Sequence, residues 1–308
     1  MRIAIFGVGA MGCLFGARLS PHAEVTLVGH WPEQIAALQR QRLRIIHPDR
    51  RDEFADLQAT NSIDSLEPVD IALILTKSSG TEAAARSAAK VLAPDGIAIT
   101  LQNGLGNLEI LAEHVGADRA TLGVTTEGAS IDRPGVLRYG GRGATHLSTR
   151  PEINGHVQAF AELLQKGGMA ARVLDDVSGL VWGKLAVNAA INPLTAVLGV
   201  TNGMLLESEA ARSLMAAAAR EVAAVAAAHG ITLPFDDAAA RAEDVAGLTA
   251  TNRSSMLQDI ERGVPTEIEV ISGAVVRAGE AKGVPTPVNA VLYRLVKTME
   301  ELAVIGRG

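Results

Sequence analysis

The chain has 308 residues, 48% hydrophobic and 20% charged, with aromatics at only 3% and a formal net charge of -6. The length allows two domains around a large core, and an acidic chain with few stacking side chains argues against a nucleic-acid partner. The single cysteine, Cys13, excludes an intrachain disulfide, suits a reducing cytosol, and reads as a small buried residue of the first helix.

The apolar N-terminus superficially resembles a signal peptide, but four glycines break it and no cleavage site follows. No run reaches the roughly 18 apolar residues of a membrane span, so the expectation is a cytoplasmic protein with no membrane partner. Arg2 to Phe6 reads as a strand, Gly7-Val8-Gly9-Ala10-Met11-Gly12 as a turn, and the pattern through Leu19 as a helix. Glycines so spaced permit a tight turn, close approach to a pyrophosphate and close helix packing, with helix N-H groups aimed at the phosphates. A second strand, Glu24 to Val28, completes the context of a dinucleotide site. An acid at the tip of that strand would hold the ribose of NAD; Gly29-His30-Trp31 has none, and His30 is able to meet the 2′-phosphate of NADP.

A helix is expected over Pro32 to Gln39, strands over Leu43 to Ile46 and Asp56 to Thr60, and a central parallel strand over Val69 to Thr76. Lys77, just past that strand, is either a cofactor contact or an ordinary loop lysine. Thr81 to Leu92 reads as a helix and Gly96 to Leu101 as a strand ending in Asn103-Gly104, where Asn103 serves either a ligand or a turn. A helix through His114 precedes Thr121 to Thr149, whose β-branched residues and glycines predict antiparallel strands. A helix, Asn154 to Gln165, and a strand, Ala171 to Leu174, close a first domain of residues 1–174.

Residues 175–308 read as helix only: Ser178 to Asn192, Glu207 to His229, Pro234 to Gly247, Ser255 to Arg262, Thr266 to Lys282 and Pro287 to Val304. In the alanine-rich second of these, Leu214, Val222 and Val225 form the expected packing stripe. Lys184, Asn188 and Asn192 are four apart and drift only about 80° over eight positions, so they share one face of an otherwise apolar helix. Either Lys184 snorkels while the asparagines cap the helix before Pro193, or the face lines a polar cleft. Ser255 and Gln258 fit a capping box, yet Asn252 and Ser255 are close enough to serve one ligand. Glu267 shares a helix face with Ile271, Ala274 and Ala278, which points it inward, where a carboxylate needs a partner such as Lys184 or a substrate hydroxyl.

The glycine turn, Lys77, Gln102-Asn103-Gly104, the Lys184-x3-Asn188-x3-Asn192-Pro193-Leu194-Thr195 block, Asn252, Ser254-Ser255-Met256-Leu257-Gln258-Asp259 and Thr266-Glu267-Ile268 together resemble the ketopantoate reductases (2-dehydropantoate 2-reductases) over nearly the whole chain. The resemblance implies an α/β Rossmann-type doubly wound sheet followed by an all-α domain like the C-terminal domain of 6-phosphogluconate dehydrogenase, covering the cleft. It implies NADPH-dependent reduction of ketopantoate to (R)-pantoate, a step of pantothenate and coenzyme A biosynthesis. Lys184 would be the catalytic acid and Glu267 a catalytic and substrate-orienting carboxylate. Asn103, Asn188, Asn192, Asn252 and Ser255 would hold the 2-keto acid. Gly7 to Gly12, His30, Lys77 and Asn103 would contact NADP, with no metal and with a homodimer left open. Two positions depart from the family: His30 replaces an arginine after the second strand, and Ser272 replaces the asparagine of Thr-Glu-Ile-Asp-x-x-Asn-Gly. The rivals are a paralogue acting on another 2-keto acid, a β-hydroxyacid dehydrogenase, and a non-catalytic NADP(H) sensor.

Overall fold

The computed structural model describes residues 1–305. The described residues form two compact units: Met1–Gln102 with Asn107–Val177, and Asn103–Gly106 with the chain from Ser178 onward.

In the first unit the elements follow as β1 (Arg2–Phe6), α1 (Ala10–Leu19), β2 (Glu24–Val28), α2 (Pro32–Arg40), β3 (Leu43–Ile46), β4 (Asp52–Ala55), β5 (Gln58–Thr60) and β6 (Val69–Ile74). They continue as α3 (Thr81–Val91), β7 (Leu92–Thr100), α4 (Asn107–Val115), β8 (Ala120–Thr125), β9 (Gly128–Arg133), β10 (Val136–Gly141), β11 (Ala144–Ser148), α5 (Asn154–Lys166) and β12 (Ala170–Leu174). Eight strands make one sheet in the order β12-β11-β8-β7-β6-β1-β2-β5, parallel except where β11 meets β8. The chain starts in the middle and winds outward both ways. Successive residues of a strand face opposite sides, and β1 shows the consequence: Ile3 and Ile5 pack with Phe15 and Phe160 of α1 and α5, whereas Ala4 and Phe6 pack with Ala85 and Leu111 of α3 and α4. Burial on both faces is why β1 and β6 are nearly continuous apolar runs.

The expected antiparallel segment from Thr121 divides. Its first and last strands, β8 and β11, join the main sheet, while β9 and β10 form a second sheet in the order β4-β3-β10-β9. The strand expected over Asp56 to Thr60 is β5, which begins at Gln58; β4, which was not expected, is the polar arm of a hairpin with β3, largely solvated and therefore without an apolar signature.

The second unit holds α6 (Ser178–Leu198), α7 (Glu209–Ala228), α8 (Ala238–Leu248), α9 (Ser255–Arg262), α10 (Ser272–Lys282) and α11 (Pro287–Ile305). The helix α6 does not stop before Pro193; it runs six residues further with the proline inside. An internal proline loses one backbone bond, but Asn192 through Ala196 are all buried, and packing on every side holds the turn. On α7 the inward stripe is Ala211, Met215, Ala218, Val222 and Val225, one step round from the expected Leu214, which is 46% exposed. The Glu221 carboxylate of α7 accepts from the backbone N-H groups of Val288 and Asn289 at 2.8 and 2.9 Å, which satisfies two N-H groups of the first turn of α11.

Candidate active site

The phosphate-binding turn is built by backbone contacts. Gly7 lies at φ +133°, its N-H donates to the Val28 carbonyl at 2.8 Å, and a Cβ there would sit 2.7 Å from the Leu75 carbonyl oxygen. A Cβ on Gly12 would lie 1.8 Å from the Gly7 oxygen, so α1 can pack against the turn only with glycine there. Gly9 differs: it is the N-cap of α1, no side chain caps that end, and a Cβ would meet nothing within 4 Å. An open position beside uncapped helix N-H groups is a cradle for phosphate oxygens. Val8 is buried with its methyl groups against Gly29, while Ala10 and Met11 are half-buried at the helix start. His30 and Lys77 are exposed beyond the carboxyl ends of β2 and β6. Gly9→Ala should therefore cost far less thermal stability than Gly12→Ala while weakening dinucleotide binding, whereas Gly12→Ala should lower Tm sharply and abolish binding; calorimetric titration beside thermal unfolding separates the two.

In the second unit, Lys184 is half-buried on α6, with Asn188 one turn on, half-buried, and Asn192 two turns on, buried. Burial pushes the Lys184 ammonium down from 10.5 to about 8, and the negative charge of Glu267 opposes that fall. Glu267 is only 6% exposed, and its Oε2 accepts from Asn103 Nδ2 at 2.9 Å across 164 residues of sequence. Asn103, Lys184 and Glu267 are thereby brought into one cluster.

Glu267 reaches this place by a different route from the one its spacing predicts. The helix expected from Thr266 begins at Ser272, and Glu267 sits in the turn before it. Asn252 and Ser255 are both exposed at the approach to α9. The capping box expected from Ser255 is also displaced: Ser254 is the N-cap, accepting from Leu257 N at 3.0 Å, and Gln258 donates to the Arg253 carbonyl.

The sequence places Thr195 and Ser254 in the family-like motifs but gives neither a role of its own. Their hydroxyl oxygens are hydrogen-bonded at 2.7 Å, and Thr195 also reaches the Ile191 carbonyl at 3.0 Å, which ties the start of α9 to the polar end of α6. Ser254→Ala should cost about 0.5–2 kcal/mol in urea unfolding, the range for a lost N-cap. Ser255→Ala should cost little, and the reverse order would show the cap misassigned.

A doubly wound unit with a phosphate cradle, joined in one chain to a helical unit that holds an ammonium beside a buried carboxylate, defines a two-unit nucleotide-dependent oxidoreductase. Residues 3–152 match the family described as Ketopantoate reductase PanE/ApbA, and residues 176–300 match its C-terminal counterpart. The chain belongs to the ketopantoate reductase family. A 2-dehydropantoate 2-reductase of Halobacterium salinarum is 35% identical over 300 residues, spanning 96% of this chain and 98% of its own. One from Archaeoglobus fulgidus is 37% identical over 300 residues, spanning 97% and 98%. Among solved structures, a PanE/ApbA family ketopantoate reductase from Ralstonia eutropha is similar with a TM-score of 0.90 at 31% identity, covering 98% of this chain and 99% of that one. D-mandelate dehydrogenase in a ternary structure with NADH and anilino(oxo)acetate is similar with a TM-score of 0.92 at 28% identity, over 98% and 99%.

Proposed function

We propose that this protein reduces 2-dehydropantoate to (R)-pantoate with NADPH. The observation that carries this is the half-buried Lys184, with its proton affinity lowered to about 8, beside the Glu267 carboxylate. The dinucleotide, when bound, supplies a hydride to the keto carbon. Gly9 and the first turn of α1 hold its pyrophosphate, Lys77 contacts it, and His30 stands where a 2′-phosphate is read. Lys184 donates a hydrogen bond and then a proton to the keto oxygen as negative charge grows there, a role that general acids fill best when their pKa lies near working pH. Glu267 accepts from the substrate hydroxyl and holds the ammonium in place; Asn103, held on that carboxylate, Asn188, Asn192, Asn252 and Ser255 hold the 2-keto acid. The proposed domains are 1–174 for the cofactor and 175–308 for the substrate, in a cytoplasmic enzyme of pantothenate synthesis.

A second reading follows from His30 and from the likeness to D-mandelate dehydrogenase, whose structure is with NADH. Histidine in place of the family's arginine weakens the phosphate contact that separates the two cofactors, and Ser272, five residues after Glu267 in sequence, departs from the family's asparagine. Initial rates with ketopantoate and phenylglyoxylate, each with NADPH and NADH, decide between them. The first reading expects the highest kcat/KM for ketopantoate with NADPH. A preference for the aryl keto acid with NADH would replace it, and tight NADPH binding with no turnover on either acid would make the protein a sensor.

A further inference from the structure

The four residues Asn103–Gly106 belong to the second unit although the chain on either side belongs to the first. Leu105 N donates to the Val270 carbonyl at 3.0 Å. That acceptor is presented because the helix does not run through from Thr266. Ile271 has φ -98° and ψ -97°, outside the helical region, and Gly273 N reaches back five residues to the Ile268 carbonyl. The break turns the Val270 oxygen toward the loop. Gly104 meets it directly: φ is +83°, and a Cβ would stand 2.3 Å from the Val270 oxygen. The neighbouring Asn103 donates to Glu267, whose own carbonyl accepts from Val270 N and Ile271 N at 3.2 and 3.1 Å. One short turn therefore offers a backbone oxygen and a carboxylate oxygen to two successive parts of one loop.

We propose that the Val270 carbonyl and Gly104 form a clasp that aims Glu267 through Asn103, which makes Gly104 a positioning residue for the proton donor Lys184. This rests on the proposed roles of Lys184 and Glu267. The geometry requires all of its parts: a side chain at 104 forces the loop off Val270, and Asn103 then leaves the carboxylate.

The test is a kinetic cycle on the full chain with NADPH and its best keto acid, comparing Asn103→Ala, Gly104→Ala, their double variant and Lys184→Ala. Misplacement of an orienting group by about 1 Å costs up to roughly 10²-fold in rate. Gly104→Ala should lose as much kcat as Asn103→Ala, the double variant no more than either alone, and the alkaline limb of the pH profile should shift equally in all three. Any loss of dinucleotide affinity should be the same in Asn103→Ala, Gly104→Ala and the double variant, because Gly104 acts only through Asn103. Losses that multiply in the double variant, or a Gly104→Ala enzyme like wild type, overturn the clasp while Lys184→Ala remains inactive. Full turnover in Lys184→Ala overturns the underlying site reading instead. Should Gly104→Ala not fold, Leu105→Pro removes the N-H donor and keeps the glycine, and the same cycle is read from it.

Discussion

Lys184→Ala should lower kcat by about 10²- to 10⁴-fold, the usual contribution of a positioned general acid, with little change in NADPH affinity. The asymmetry follows from where each group lies. The phosphate turn is assembled by Gly7, Val28 and Leu75 of the first unit, whereas Lys184 stands on α6 of the second, so the two functions should part cleanly on mutation. Removal of the ammonium leaves Glu267 buried with its Asn103 bond intact, so the carboxylate keeps a hydrogen-bond partner and the fold should survive. Near-normal turnover in the variant would refute the acid assignment; a matching loss of NADPH binding would show that the lysine serves the cofactor.

Glu267→Gln should narrow the working pH range as well as slow the enzyme. Lys184 acts in its protonated form, so kcat/KM should be level below about pH 8 and fall above it, losing about tenfold for each further pH unit. Glu267 is the group that raises the lysine's proton affinity against burial. Without that charge the burial effect acts alone, the lysine titrates lower, and the alkaline limb moves below pH 8. The sign distinguishes this account from one in which Glu267 is itself the proton donor, where the glutamine variant would lose the rate at every pH without a shift of the limb. Rates measured from pH 6 to pH 10 in both enzymes settle the matter.

Much of this is legible in the sequence because it is local. The turn between β1 and α1 is fixed by backbone sterics that only glycine satisfies at positions 7 and 12, and the shared face of Lys184, Asn188 and Asn192 follows from helical spacing alone. The resemblance of the ordered motifs to ketopantoate reductases held across both matched segments of the chain. Long-range geometry was not legible. Asn103 reads equally well as a turn residue, and only the fold reveals that it donates to a carboxylate 164 residues away. Glu267 does face inward, but from a turn rather than the first turn of a helix, because the break at Ile271 has no sequence signature of its own. Adjacent serines hid the cap by one position, and Pro193 suggested a helix end that buried packing overrides. The hairpin arm β4 is polar and solvated, so no period-2 apolar pattern marks it.

The proposed chemistry depends on an ammonium whose proton affinity is set by its burial and by one carboxylate. NMR titration of the Lys184 side chain, identified as the signal lost in Lys184→Ala, reads this directly. The midpoint should lie near 8, well below the ordinary 10.5, and should fall further in Glu267→Gln. A midpoint at 10.5 that Glu267→Gln leaves unmoved would contradict the arrangement on which the proposed chemistry stands.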